Sequence, residues 1–501
     1  MAGDPISRAR PYQVRALERG SGNGVGDGAP ASTNGSAVAQ QHAPRTAPPK
    51  ADAPRETESL RWVLVRLAPL FGAFLITWLV SGTGGKPISD EGPFLAAARR
   101  LLHGHYALTS AMDGTKYLWH GPGLPALIAP LVAVGTPLTV IRLVGPVLLF
   151  VAVVVFYRLL RLRLSRRAAL VGAYALGLYG PMYEGITSSL QKEPLALVMS
   201  VIALYGTAHY VMDGRRRYLA LGGLALGGLA MTRLEYGWVL PALLAVAVIW
   251  WLVAGLRHGA ASSRARTARR WSMVCGVGLL ACVPWLAYTY SVTHHFFYWG
   301  NSGGISLYWM SSPASSQLGQ WHASHTVFAD PQLAAYRPLF HYLATLPPLQ
   351  RDLTLRHLAI VQAEGHPAKY ALNLLANLSR MLYGFPFSFT LSVGVLVGLA
   401  LFNTALLGGL AATAVYVRRN RRSLPPEATP FVWFAALAFA VHLFPSAEPR
   451  FLIPLIPVPI WLMAHALNRR FGRSSAPNLT ASMRRRAAPA GSGRAAHVMP
   501  R

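Results

Sequence analysis

The chain has 501 residues, of which 53% are apolar and 13% charged, and its mean hydropathy is +0.34, a balance that excludes an ordinary soluble globular protein. With 47 Lys and Arg against 18 Asp and Glu the formal charge is +29. The basic residues come in short clusters between apolar runs, as in the cytoplasmic loops of a polytopic membrane protein, so nucleic acid is excluded as the partner they serve. Only Cys275 and Cys282 are present, seven apart in one apolar run, which excludes a disulfide framework and a zinc site.

Residues 1–60 are rich in Pro, Gly, Ser and Ala and poor in large apolar side chains, and read as a disordered cytoplasmic tail without a signal peptide. A first span is expected over 61–80, with its basic residues at the start and its N-terminus therefore inside. The loop at 81–137 then lies outside. It opens with adjacent carboxylates, Asp90 and Glu91, and contains an apolar run at 122–135 that is too short to cross and reads as a helix lying along the outer surface.

The run at 138–160 is long enough to cross and ends in RLLRLRLSRR, with five Arg between Arg158 and Arg167, which must be cytoplasmic. Further spans are expected at 168–182, 194–212, 219–232, 237–256 and 271–292. The intervening basic loops at 214–217 and 257–270 both fall inside on this count. A second large external segment at 293–386, aromatic and Gly-rich and then amphipathic, reads as a compact cap. Three more spans follow at 392–417, 431–444 and 451–467, within a C-terminal module at 387–468. The tail at 469–501 carries eight Arg and no acid. The expectation is an all-α polytopic membrane protein with about ten spans, a seven-span module at 61–292, and both termini inside. No internal repeat of transporter type is visible. The Gly-rich run LGGLALGGLA reads as close helix packing.

A carboxylate just beyond the first span can stay ionised beside water and accept a proton from an attacking hydroxyl, so Asp90, and with it Glu91, is the catalytic candidate. Each could instead be a solvated loop charge, or cap the helix that follows, GPFLAAARRLL, with Pro93 in its first turn. Glu184 and Glu193 flank an external loop, with Lys192 beside Glu193. Arg233 with Glu235, and Arg450 with Glu448, stand at external turns. The guanidinium fork there suits an anionic lipid headgroup, against the alternative of an ion pair with the neighbouring Glu. His120 precedes a Gly-Pro-Gly-Leu-Pro turn and could donate to a phosphate or a sugar hydroxyl; His294 and His295 read as surface residues. No Walker loop, H-E-x-x-H, G-x-S-x-G or dinucleotide fingerprint occurs.

Five stretches carry a family resemblance: SDEGPFLAAARRLLHGHYAL, WHGPGLPALIAPLVAVGTPLTVIRLVGPVL, SSLQKEPLALVMSVIALY, LAMTRLEYGWVLP and EPRFLIPLIPVPIWL. In order, across about residues 89–462, they resemble the GT-C superfamily of membrane glycosyltransferases. The likeness is to the bacterial group related to protein O-mannosyltransferases and the lipid A aminoarabinose transferase. The resemblance implies juxtamembrane helices in the first external loop and Asp90 as base or acceptor-orienting residue. It implies a polyprenyl-monophosphate sugar attacked with inversion, and an acceptor that is a lipid, glycan or protein. Donor phosphate or substrate would be held by residues among His120, Lys192, Glu193, Arg233 and Arg450. No metal or other cofactor is expected, though nothing in the sequence excludes a divalent cation. The site would face the extracytoplasmic side of the plasma (inner) membrane. Two departures stand out: Gly121-Pro122-Gly123 replaces the usual Pro-Pro after His120, and Tyr288 stands where many relatives have Arg. A lipid or polysaccharide transporter, or a non-catalytic assembly partner of GT-C type, are the alternative readings.

Overall fold

The computed structural model describes residues 58–81, 84–106, 108–109, 116–183, 189–386, 391–419 and 424–472. The expected disordered tails, apart from their innermost residues, lie outside these, as does Glu184.

Helix α1 (Leu60–Val80) begins at Ser59, whose hydroxyl accepts from the Trp62 N–H and satisfies one of the first-turn donors. Just before it, the buried carboxylate of Glu58 pairs with Arg161 at 2.8 Å and Arg166 at 3.0 Å. The start of α1 therefore lies on the same side as the arginine-rich turn, as two crossings between them require. After α1 come α2 (Glu91–Leu102), a short antiparallel ladder of β1 (Leu108–Thr109) with β2 (Lys116–Tyr117), and α3 (Gly123–Ala133). The apolar run that is too short to cross is thus an 11-residue helix, and it packs on α2.

Helices α4 (Leu138–Ile141) and α5 (Val144–Arg161) form one span, followed by α6 (Arg166–Gly177). Next are α7 (Glu193–Asp213), ended by Gly214 at φ 70°, then α8 (Arg216–Thr232) and α9 (Tyr236–His258). Helices α10 (Ser263–Ala281) and α11 (Val283–Thr293) make a pair bent by 41°. The segment after it folds as α12 (Gly303–Met310), α13 (Ser324–Ala329), α14 (Arg337–Thr345), α15 (Pro348–Gly365) and α16 (Pro367–Tyr383). The chain closes with α17 (Val393–Arg419), α18 (Ala428–Leu443) and α19 (Pro457–Gly472).

A helix stands at each of the ten expected span positions. Five are long and apolar enough to cross, or six with the bent pair as one span. The remaining four, α6, α8, α18 and α19, have 12, 17, 16 and 16 residues. Helix length alone thus supports a multi-pass membrane protein but not a count of ten, because about 20 residues are needed to span the hydrocarbon.

Helix α7 is the centre of the bundle: 72% of its apolar window is buried, against 22% for α1 and 17% for α17. It lies between α5 and α8. Small residues permit this. A Cβ on Gly206 would stand 2.5 Å from the Gly222 backbone nitrogen, and one on Gly227 would stand 2.7 Å from the Gly278 carbonyl of α10. Cys275 and Cys282 are both free and buried in the same bundle.

The segment between α11 and α17 has its own apolar cluster around Trp309, Phe340 and Leu355. The buried Asp352 ties α15 to the turn before α12. It accepts from the Tyr298 hydroxyl at 2.9 Å and the Gly304 N–H at 2.6 Å, and pairs with Arg356.

Gly206→Leu should lower the apparent unfolding temperature of the detergent-solubilised protein, since overpacking a tight contact costs about 1–3 kcal/mol. Gly255→Leu, where a Cβ meets nothing within 4 Å, should leave it unchanged; equal shifts for the two would contradict the α7–α8 packing.

Candidate active site

Glu91 opens α2 fully buried, and every acceptor position of its carboxylate is in use. Oε1 accepts from Arg142 Nε at 2.8 Å and from the Leu190 N–H at 2.7 Å. Oε2 accepts from Arg142 Nη2 at 2.7 Å and from the Ile88 N–H at 2.8 Å. Arg142, itself 1% exposed, also donates to the carbonyls of Gly84 and Lys86. Burial pushes the Glu91 carboxyl up, but the guanidinium fork and the two backbone donors prevail and hold it below the usual carboxylate range. The result is a clamp joining the loop between α1 and α2, the start of α5's span and the chain just before α7.

Asp90, one residue earlier, is placed differently. It occupies the N-cap position of α2 yet makes no side-chain cap hydrogen bond, so the capping reading does not hold for it. Its carboxylate is 36% exposed, and among the described residues the titratable group nearest to it is His120, with Nε2 at 3.9 Å, beyond hydrogen-bond reach.

His120 is held against α2 by Phe94, ring to ring at 4.5 Å, and by the Tyr106 hydroxyl donating to its carbonyl. The Gly-Pro-Gly that follows has a steric reason: a Cβ on Gly121 would collide with the Met231 carbonyl, and one on Gly123 with Thr232. That approach to the end of α8 brings His120 to the turn carrying Arg233 and Glu235. The other departure, Tyr288, takes a hydrogen bond from the Tyr106 N–H at 3.2 Å. Burial, and then the charge of Lys192, keep the His120 imidazole well below its ordinary pKa, so it is neutral at pH 7 and donates through one N–H.

Behind Asp90 and His120 lies a group of opposed charges. Arg233, with no exposure, reaches Glu193 Oε1 at 3.4 Å and Glu235 Oε1 at 3.6 Å and lies over the Phe451 ring at 4.2 Å. Arg450 pairs with Glu448 at 2.7 Å, approaches Glu193 at 3.8 Å and donates to Gln191 at 3.2 Å. The ion pairs with neighbouring Glu, read from sequence as the alternative to phosphate binding, are therefore present, but they do not saturate the cluster. Among the described residues, Arg233 Nε and Nη2, Glu193 Oε2, Glu235 Oε2 and His120 Nδ1 are buried without hydrogen-bond partners. Burial opposes ionisation of Glu235, yet Lys192 and then Arg233 overcome it and hold the carboxyl well below the usual range. A cleft of about 270 Å³ opens onto Arg450 and Glu448, between Ser89, Pro181 and the first turns of α17 at Leu391, Val395 and Leu399.

The fold thus gathers Asp90, His120, Lys192, Glu193, Arg233 and Arg450 at one place, and turns Glu91 away into the clamp. His294 and His295 are exposed elsewhere. Two residues that sequence reasoning passed over belong here. Gln191 holds Arg450. His442, buried in α18, contacts Tyr236 and Phe451 and points an unpartnered Nε2 into the same interior. Among the described residues no group of three His, Cys, Asp or Glu is placed to hold a metal ion.

No family model matches the sequence, and curated proteins give no match. Several solved structures are similar. Oligosaccharyltransferase AglB from Archaeoglobus fulgidus, in complex with an inhibitory peptide and a dolichol-phosphate, aligns over 86% of this chain and 52% of its own at 15% identity and TM-score 0.48. ArnT from Cupriavidus metallidurans, bound to undecaprenyl phosphate, aligns over 85% and 81% at 16% identity and TM-score 0.37. Arabinosyltransferase EmbB from Mycobacterium smegmatis aligns over 84% and 42% at 15% identity and TM-score 0.35. These are membrane glycosyltransferases of the GT-C superfamily. The chain spans about half the length of the archaeal enzyme. At such identities and scores the likeness carries no weight in the functional reading, which rests on the chain's own residues.

Arg142→Met alone leaves Glu91 buried without its cation and should cost about 3–5 kcal/mol in thermal unfolding. Adding Glu91→Gln should recover part of that loss, and a double variant no more stable than Arg142→Met would contradict the clamp. For His120 the folded pKa lies below the unfolded value near 6.5. The unfolded chain therefore binds the extra proton, and stability is lost as pH falls below about 6.5, with no effect above it. His120→Gln should flatten that acid limb of a melting-temperature profile.

Proposed function

We propose that the chain is an inverting glycosyltransferase that moves a sugar from a polyprenyl-monophosphate carrier to an acceptor hydroxyl at the outer side of the membrane. The observation carrying this is the contrast among the carboxylates. Glu91, Glu193, Glu235 and Glu448 each have an arginine partner, whereas Asp90, next to the cleft residue Ser89, has among the described residues only a neutral imidazole at 3.9 Å.

In this reading the acceptor oxygen attacks the anomeric carbon from the face opposite the phosphate. As that bond forms, the bond from carbon to phosphate oxygen breaks, its electron pair leaves with the phosphate, and the acceptor proton passes to Asp90. The phosphate is a good leaving group without a strong acid, so one carboxylate suffices. Arg450 at the cleft, with Lys192 and Arg233 behind it, supplies the fixed positive charge that the departing phosphate requires. The unpartnered nitrogens of Arg233 are the kind of donors an incoming anion would satisfy, and the His120 N–H is suited to a phosphate oxygen or a sugar hydroxyl. Glu193 separates and aims the two arginines. Glu91 acts through Arg142 as a positioning residue that fixes the start of α2, and with it Asp90.

Mass spectrometry of envelope glycans and glycoproteins from a strain lacking the protein tests this. Wild type should restore the missing glycan, and Asp90→Asn, present in membranes at the normal level, should not, since loss of a general base costs about 10²–10⁴ in rate. Restoration by Asp90→Asn at the wild-type level would overturn the assignment.

A further inference from the structure

Helix α16 carries its polarity inside out. Asn373, Asn377 and Arg380 recur at helical spacing and would read as a water-facing stripe, yet they are 0%, 0% and 1% exposed. Asn373 donates to the carbonyls of Met310 and Ser312. Asn377 donates to the carbonyls of Leu443 and Pro445 and accepts from the Ala447 N–H. Arg380 donates to the carbonyls of Leu318, Gly319 and Pro386. The other cation, Lys369, is likewise turned onto the Gln317 carbonyl and Asn373. The outward face consists of Ala368, Ala371, Leu372 and Leu375, the two leucines 50% and 65% exposed. Helix α15 adds Ile360 and Val361, 57% and 50% exposed.

The surroundings say what covers this face. The Tyr370 hydroxyl donates to the Phe444 carbonyl at the end of the apolar helix α18, the turn that Asn377 also holds. At its own C-terminus α16 passes through Gly384, at φ 73° and packed against Leu391 and Leu399, into α17, whose Val393 and Val397 are 76% and 51% exposed. Helix α16 therefore lies at the level where two apolar helices end. A protein-binding face would offer aromatic or arginine anchors; the face of α16 offers Pro367, Ala and Leu, with both of the helix's own charges, Lys369 and Arg380, turned to the inner side, and the neighbouring face of α15 adds His357 and Glu364 to its Ile360 and Val361.

We propose that α16 is an interfacial membrane helix, with Leu372 and Leu375 in the acyl-chain region of the leaflet at which α17 begins. The occupant is lipid, and the inference stands apart from the catalytic reading. Because Leu391 and Leu399 also line the cleft at Arg450, such a helix borders the mouth of that cleft at the depth of a lipid-borne substrate.

The test is collision accessibility of nitroxide labels on the full chain in lipid nanodiscs. Labels go on Leu372→Cys and Leu375→Cys, with Leu401→Cys in α17 as the lipid reference and His325→Cys, exposed on α13, as the water reference. The native cysteines are buried, and protein without an added cysteine gives the background. The expected result is high collision with oxygen and low collision with a water-soluble nickel chelate at both positions, as at Leu401. Nickel accessibility matching His325 would overturn the proposal in favour of a water-facing helix. Low accessibility to both reagents would overturn it in favour of a protein partner or a second copy of the chain.

Discussion

The organisation of this protein depends on one buried ion pair. Glu91 and Arg142 are 0% and 1% exposed and meet through two short bonds. Two ions removed from water would be costly if either were left with spare hydrogen-bonding capacity. Here the carboxylate takes two backbone N–H groups and the guanidinium two carbonyls, so the loop between α1 and α2, α5's span and the approach to α7 are fixed to one another. Asp90 inherits its place from this arrangement, because the residue beside it cannot move.

The charge cluster behind Asp90 follows a different rule. Its ion pairs at 3.4, 3.6 and 3.8 Å are loose, and several polar atoms within it are sealed from water without partners. In a finished core such atoms are costly. For the anion proposed above they would act as preorganised donors, since groups already stripped of water need little rearrangement when charge arrives. The charges are tight and saturated at Glu91 and loose and unsaturated at Arg233, whereas Arg450 is held closely by Glu448.

Much of this was legible in the sequence. Composition and arginine clustering gave the membrane class, and the short run after His120 was recognisable as a helix too short to cross. The distinct fates of Asp90 and Glu91 were not legible, because adjacent residues at a helix start point in different directions and only the partner, Arg142, about 50 residues away, decides which is buried. Gly121 and Gly123 looked like departures from a pattern; their reason is the Met231 carbonyl and the Thr232 side chain, a contact between distant segments. His442 gave no signal, since a single histidine in an apolar helix is ordinarily a packed core residue. Helix α16 gave the wrong signal, because a polar stripe at helical spacing does not say whether water or carbonyl groups satisfy it.

The central claim is that the cleft at Arg450 receives the phosphate of a lipid-linked sugar beside Asp90. Cryo-electron microscopy of the full chain in nanodiscs supplemented with a polyprenyl monophosphate tests it most directly. The account predicts a phosphate within hydrogen-bond distance of Arg450 or Lys192, on the same side as the Asp90 carboxylate, with the isoprenoid chain leaving past Leu391, Val395 and Leu399. A phosphate bound at another site, with this cleft unchanged, would contradict it.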